Sequence, residues 1–399
     1  MTRYLVKRAV SGLIALFIFA TFLFFVAQLL IPGDFVGQFA LGMSLEERQA
    51  WREELGLDRP LGEQYLLWLR NLFNGTLGTS YFGGPVTAVL YSAIAPTLLI
   101  FGPGTLIAFL LGLWLGKVTA WRSPKLLSGT ATFSAVTFYT AFPPWLTFLM
   151  VYFFGLRLGV FRLQLDFQLW RTSPLPRPIV ESHMVATLAV GTLLLIAINL
   201  ILKRVWRWRL PMLLNMVVLI AGAIVSWHVL GFGPQAMSLF EFVTLPIATY
   251  VLLSFGEVVL IMQTSMRDTL SEDYVQAARA KGLPERVVRD KHAARNAVLP
   301  VLSKFAVSLP YLMTGLIMIE DAFLRHGAVS DSRMPGLGYR PGISWTLFGS
   351  VSSQDMPVVM GVLLVVGVLS LAARLILDVL SAYLDPRIRF GARAPRNLR

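Results

Sequence analysis

Apolar residues in this chain fall into long unbroken runs rather than the short alternations of a soluble fold. About twenty such residues, rising 1.5 Å each in a helix, match the hydrocarbon thickness of a bilayer. The stretches that qualify are 9–31, 94–115, 129–154, 183–202, 211–230, 242–262, 301–323 and 358–380. They predict an all-α polytopic membrane protein with about eight transmembrane helices. Two of these runs are interrupted. Pro143-Pro144 lies inside the third, and Pro310 and Gly315 lie inside the seventh. A proline removes a backbone donor and clashes with the preceding turn, so the Pro-Pro step must kink or break its helix. Packing is the expected reason for it, ahead of a direct contact with solute.

The polar connections then assign sides. Arg3, Lys7 and Arg8 precede the first run; Lys117, Arg122 and Lys125 follow the second; Lys203, Arg204, Arg207 and Arg209 separate the fourth from the fifth. Such basic clusters mark cytoplasmic loops, and Trp206 and Trp208 suit the membrane interface. Residues 33–92 instead carry Glu46, Glu47, Glu53, Glu54, Asp58 and Glu63, as an external segment does. Ser44 with Glu47 three residues on reads as a capped helix start, and the segment as a small external subdomain of short helices. The stretch 155–182 conflicts with this alternation. It falls outside by count, yet holds Arg157, Arg162, Arg171 and Arg177. Either the span count is off by one there, or the segment folds over the external face. The first run is too long for a signal-peptide core and has no small-residue cleavage site, so an uncleaved first span with a cytoplasmic start is expected.

Composition narrows the function. The chain is 56% hydrophobic and 14% charged, against about 25% charged in a soluble domain. Its net charge of +13 sits in short patches between apolar runs, which argues for membrane topology and against nucleic acid. There is no cysteine, hence no disulfide or thiolate chemistry. The histidines His183, His228, His292 and His326 are scattered, with no metal-binding spacing. No phosphate-binding GxxxxGK[ST] loop and no GxSxG nucleophile turn is present. The expectation is a chain with no catalytic residue, no metal and no cofactor of its own.

The most informative polar stretch is Asp273 to Pro300, reading DYVQAARAKGLPERVVRDKHAARNAVLP. Good helix formers run from Tyr274 to Lys281, and Gly282 stops them. Pro284 and Glu285 suit the first turn of a second helix, and Leu299-Pro300 marks re-entry into an apolar run. By local physics alone these are two surface helices outside the bilayer, with Ala277, Ala278 and Ala280 leaving one side open to close approach. The candidate ionisable residues in or beside spans are Glu257, Glu320, Arg374 and Asp378. An intramembrane carboxylate faces protein or water, so Glu257 is a functional candidate or a structural hydrogen bond. Arg374 and Asp378, four apart, could pair on one helical face.

The same run resembles the EAA loop of bacterial ABC importer permeases, most closely that of the peptide (dipeptide, oligopeptide, nickel) permease family. Asp273, Tyr274, Val275, Ala278, Arg279, Ala280, Lys281, Gly282, Leu283, Glu285, Val288, His292, Ala293, Arg295, Asn296, Ala297, Leu299 and Pro300 fit its pattern, with Gln276 where the name-giving Glu would stand. Leu55-Gly56-Leu57-Asp58-Arg59-Pro60, Gln64-Tyr65-Leu66 and Gly75-Thr76-Leu77-Gly78-Thr79-Ser80 are similar to that family's external region, Pro335-Gly336-Leu337-Gly338 to its motif after the seventh span, and Asp378 with Asp385-Pro386-Arg387 to its C-terminal pattern. An insertion over 326–334 separates the Pro335 motif from Glu320, which leaves the loop geometry there open. The hairpin 183–230 falls outside the resemblance and reads as a peripheral insertion or a docking site for another membrane subunit.

The resemblance implies a type I importer permease core, divided as 1–32 first span, 33–92 external helical subdomain, 93–160 second and third spans, 161–240 external segment with inserted hairpin, 241–385 permease core with its cytoplasmic loop at 266–300, and 386–399 basic tail. It implies a bacterial or archaeal cell membrane with both ends cytoplasmic. It implies a second homologous permease subunit, two ATP-binding subunits that carry the ATP and Mg, and an external solute-binding protein. Coupling to the ATPase is expected through Ala277, Ala278, Gly282, Leu283, Glu285, Arg286, Arg289 and His292, with the helix after Gly282 seated in the ATPase cleft. Peptide is the default solute; nickel chelates and oligosaccharides stay open. The contrasting class is an ion-coupled carrier or a membrane-embedded enzyme. The first would show paired inverted repeats and the second convergent catalytic side chains, and neither pattern is found here.

Overall fold

The computed structural model describes residues 2–30, 34–39, 42–121, 125–163, 165–173, 175–205, 211–327 and 342–384. The Pro335 motif, Asp385-Pro386-Arg387, the basic tail, and the interfacial Trp206 and Trp208 lie outside the described residues.

The chain runs through α1 (Thr2–Leu30), the short helices α2 (Phe35–Phe39), α3 (Leu45–Leu55) and α4 (Leu61–Phe73), then α5 (Val86–Ala120), α6 (Lys125–Tyr139) and α7 (Pro143–Met150). A π-helical segment, Val151–Arg157, extends α7. Next come α8 (Phe167–Arg171), α9 (Arg177–Val205), α10 (Met212–Val229), α11 (Gly233–Leu270), α12 (Asp273–Ala280) and α13 (Glu285–Val287), which passes through a second π-helical segment, Val288–Ala293, into α14 (Ala294–Gly327). Helices α15 (Gly342–Ser352) and α16 (Met356–Leu384) complete it.

Among the described residues, 6 helices are long and apolar enough to cross a membrane, and the bent pair α6–α7 makes a seventh. The pair turns by 107° at the break. Pro143 occupies the first turn of α7, where its missing N–H costs nothing, so the third run is two helices rather than one kinked helix. Helix α10 is apolar but shorter, at Leu214–Val229. The expected interruption of the seventh span is absent: α14 runs through Pro300, Pro310 and Gly315 without a break. Surrounding helices hold it there, and a membrane helix tolerates an internal proline when neighbours satisfy its backbone.

Helices α5 and α11 form the spine. Gly104, Ala108, Gly112 and Gly116 repeat every fourth residue and so share one face of α5. Gly104 faces Tyr250, Gly112 faces Val258 and Gly116 faces Met262, which sets the two helices parallel and in register. A Cβ on Gly112 would lie 2.5 Å from Val258 Cβ and 2.9 Å from the Phe255 carbonyl oxygen. In lipid no hydrophobic force pushes helices together, so small residues that admit a close backbone approach supply the contact. Near the far end of this seam, Gln263 donates to Thr119 Oγ1 at 2.8 Å and accepts from Thr132 Oγ1 at 3.1 Å, joining α5, α11 and α6.

Helix α16 starts beside the start of α5, with Gly361 against Val86 and Leu90. Helix α1 packs antiparallel to α16, Gly12 on Leu371 and Leu16 on Gly367. The start of α1 and the end of α16 therefore share the end of the bundle where α5 and α11 finish. Helices α2, α3 and α4 cover the opposite end. Ser44 and Glu47 make the expected reciprocal cap, Glu47 N to Ser44 Oγ at 3.2 Å and Ser44 N to Glu47 Oε2 at 2.7 Å. Arg52 holds Asp34 with two hydrogen bonds, and Asp355, just before α16, accepts from Ser80 Oγ and from Tyr81 N.

The basic stretch after α7 lies at this same covered end. Arg162 pairs with Glu241 at 3.0 Å and Arg177 with Glu181 at 3.0 Å. Glu241 sits near the start of α11, roughly 40 Å along the helix from Leu270. The segment folds across the end of the bundle, with Phe161, Leu163 and Leu165 against the core, and the ion pairs offset its positive charge. Helices α9 and α10 attach at the periphery through Val180, Met184, Trp227 and Phe232, and Asn199 reaches Asn215 at 2.7 Å between them.

Candidate functional site

The polar loop after α11 builds a compact elbow. Helix α12 ends in a Schellman turn: Gly282 takes φ +73°, its N–H bonds the Arg279 carbonyl at 2.9 Å, and the Leu283 N–H bonds the Ala278 carbonyl at 3.4 Å. Both bonds close carbonyls that the helix end would leave open, and glycine adopts this left-handed conformation without a Cβ penalty. Leu283 then packs onto the core, and Pro284 opens the following helix.

Two faces of the elbow differ in kind. Val275, Ala278, Val288 and Ala293 are buried in the main core. Asp273, Gln276, Ala277, Ala280, Lys281, Gly282, Arg286 and Lys291 are exposed. Ala278 thus faces inward, against the expectation that all three alanines would line an open side, because it shares the inner stripe of α12 with Val275. Nor is the helix after Gly282 a separate surface element: it continues through the π-helical segment into α14. The free-standing helix of the elbow is α12.

Charged side chains expected to reach outward instead brace the elbow. Glu285 forms an ion pair with Arg279 at 3.2 Å across the glycine turn, and the Arg279 guanidinium lies 5.2 Å over the Trp121 ring at the end of α5. Arg289 pairs with Asp290 at 2.9 Å, and Asp290 also meets Lys117 at 3.0 Å. Arg286 remains on the exposed rim, and His292 is half-buried beside it. Lys117 and Trp121 were legible only as a topology marker and an apolar residue. Their role needs the close of α5 onto α14, which local pattern does not contain.

The intramembrane candidates separate. Glu320 is fully enclosed and caps α15: it accepts from Ser344 N at 3.1 Å, while Thr97 Oγ1 accepts from Ile343 N at 2.9 Å. Glu320 is therefore a structural anchor for α15. Asp378 faces Arg8 of α1 at 3.9 Å rather than Arg374, which is exposed on the outer side of α16. The antiparallel packing of α1 on α16 brings Arg8 to that position. Glu257 is half-buried on α11, toward Ser308 and Lys304 of α14.

Among the described residues, no group of three or more His, Asp or Glu side chains is arranged to hold a metal ion. The site is thus an elbow of helix, glycine turn and helix, rigidly joined to two spans and presenting a polar rim at one end of a membrane bundle. It has no acid–base pair or nucleophile of its own, and what it offers is a mechanical connection.

Relatives are similar in sequence over nearly the whole chain. A peptide permease protein of Brucella suis biovar 1 is 30% identical, with 98% of this chain and 99% of the relative covered. Dipeptide transport system permease proteins of Lactococcus lactis and Escherichia coli K12 are 25% and 28% identical, each over 98% of this chain. A family model described as binding-protein-dependent transport system inner membrane component matches residues 108–390, and its N-terminal companion matches residues 1–91. The chain is a multi-pass, non-catalytic membrane permease subunit and belongs to the binding-protein-dependent transport system inner membrane component family of ABC importers.

Proposed function

We propose that this chain forms half of the translocation path of a peptide importer. A second homologous permease subunit forms the other half, two ATP-binding subunits supply ATP and Mg from the cytoplasmic side, and an external solute-binding protein delivers the peptide. Both chain ends and the 266–300 loop face the cytoplasm in this reading. Peptide is the solute because the relatives carry that name.

The elbow carries the proposal. Its outer rim, with Gln276, Ala277, Lys281, Gly282 and Arg286, is the docking surface for the ATPase, and Leu283 and His292 support it from behind. Ala278, Glu285 and Arg289 hold the elbow in shape. Because the second helix continues into α14, movement of α12 turns a membrane span directly. A rigid lever of this kind is a two-state element that nucleotide binding elsewhere can bias.

The chain has no cysteine, so single-cysteine variants need no background removal. Ala277→Cys and Arg286→Cys, treated with a short bifunctional thiol reagent in the assembled importer, are expected to crosslink to the ATP-binding subunit. Crosslinks absent from both positions, with efficient labelling from the external side, would overturn the assignment.

A further inference from the structure

Helix α14 exposes a stripe that does not suit lipid. Ser303, Lys304, Val307, Tyr311 and Thr314 are exposed at spacings of one, three and four residues, so they lie along one side of the helix. Tyr311 is 64% exposed and Val307 66%. By contrast the exposed side chains along the middle of α9, between Ala186 and Ile201, among them Val190, Leu193, Leu194 and Ile196, are aliphatic, as a lipid-facing surface is. Ser303 and Thr314 close their hydroxyls on the helix's own carbonyls, but the Lys304 ammonium on a spanning helix faces water or protein.

The stripe has a neighbour. Glu257 on α11 interacts with the Ser308 hydroxyl and with the Lys304 charge. Tyr139, the last residue of α6, lies within electrostatic reach of Glu257 and Tyr311. It is set there because the α6 backbone packs on Gly256, where an added Cβ would strike the Ala135 carbonyl. The chain breaks immediately after Tyr139, at the 107° bend. A carboxylate, an ammonium and two phenols from three helices thus lie near one another beside a broken span, on a face that leaves Lys304, Val307 and Tyr311 exposed among the described residues.

We propose that Tyr139, Glu257, Lys304 and Tyr311 form the wall of the translocation path in this subunit and hold the passing solute by its charged ends. The inference rests on the importer reading above and adds the chemistry of the path. Lys304 lies within electrostatic reach of Glu257 across the α11–α14 seam. A carboxylate and an ammonium on facing helices are matched by a solute with one free amino and one free carboxyl end. Lys304 takes the solute carboxylate, Glu257 its ammonium, and the phenols supply sequence-tolerant contacts. Both residues are positioning residues.

Two measurements on the assembled importer in proteoliposomes test this. First, Val307→Cys, Tyr311→Cys and Thr314→Cys are expected to react with a membrane-impermeant thiol reagent, and Leu193→Cys and Ile196→Cys to stay unmodified. Stripe cysteines as unreactive as the α9 controls would show a surface sealed by protein and overturn the wall. Second, uptake of a free-ended tripeptide per ATP hydrolysed is compared in Lys304→Met and Glu257→Gln. Loss of one charge contact should lower that ratio about tenfold. An unchanged ratio in both variants would overturn the ligand role, including for a Lys304 that merely extends to the membrane surface. If wild type itself imports no tripeptide, the peptide reading above has failed, while the labelling result still decides whether this face is a water-lined wall.

Discussion

Asp290 lies 3.0 Å from the Lys117 ammonium, which ties the end of α5 to the π-helical turn that begins the α14 helix. The same carboxylate also accepts from Arg289. Helix α5 is the partner of α11, and α11 leads into α12. One carboxylate therefore closes a loop of three long helices at the end where the elbow projects. Both partners are partly exposed, so the pair stabilises the fold by about 1 kcal/mol or less. Its larger consequence is geometric. Asp290→Asn is expected to leave the melting temperature nearly unchanged and to raise amide exchange in 285–293. Unaltered exchange there would show that the helix starts are held by apolar packing alone.

Gly282 supports a sharper expectation. Its φ of +73° is open to glycine and strained for a β-branched residue, at about 1–2 kcal/mol. Gly282→Val should insert and fold but lose solute stimulation of ATP hydrolysis, because the elbow can no longer hold its angle. Gly282→Asn, which tolerates the left-handed region, should retain most of it. Full stimulation in the valine variant would remove the elbow from the coupling route.

At Gly112 the issue is space rather than torsion. A Cβ there would meet both Val258 and the Phe255 carbonyl, so Gly112→Val must push α5 away from α11 along the whole seam. Overpacking of this kind costs about 1–3 kcal/mol. A lowered melting temperature in detergent, larger than for the equivalent change at Gly102, where an added Cβ meets nothing within 4 Å, is the expected result.

The short helices after α1 carry a pH dependence. The Arg52 guanidinium, hydrogen-bonded to Asp34, holds that carboxyl below its ordinary range. A depressed acid contributes stability that is complete above its unfolded value, about 3.9, and is lost as pH falls through the lower folded value. Wild type should therefore exceed Asp34→Asn in melting temperature from neutral pH down to about pH 5, and the gap should close below about pH 4. A gap that does not change with pH would assign the effect to shape rather than charge.

Much of this protein is legible without coordinates. Spans are set by length and apolarity, because a bilayer requires a helix to satisfy its own backbone and hide nothing polar. The Gly282 turn and the Ser44 cap follow from residue types at fixed offsets, since each is a local device closed by bonds within a few residues. The break at Pro143 was visible as a discontinuity, though its 107° angle was not.

Relations between distant residues were decided only by the folded molecule. Ala278 and Ala277 are chemically alike, and only the docking of α12 on the core distinguishes the buried one from the exposed one. Glu257 and Glu320 read alike as carboxylates in apolar runs, yet Glu320 caps α15 and Glu257 is half-buried within electrostatic reach of Lys304. Asp378 had a partner at the right helical spacing in Arg374, and the packing of α1 on α16 gave it Arg8 instead. The physical reason is common to all three. A sequence determines which residues can leave water and which local bonds they can close, whereas the rotation of each helix about its axis is set by the neighbours against which it packs.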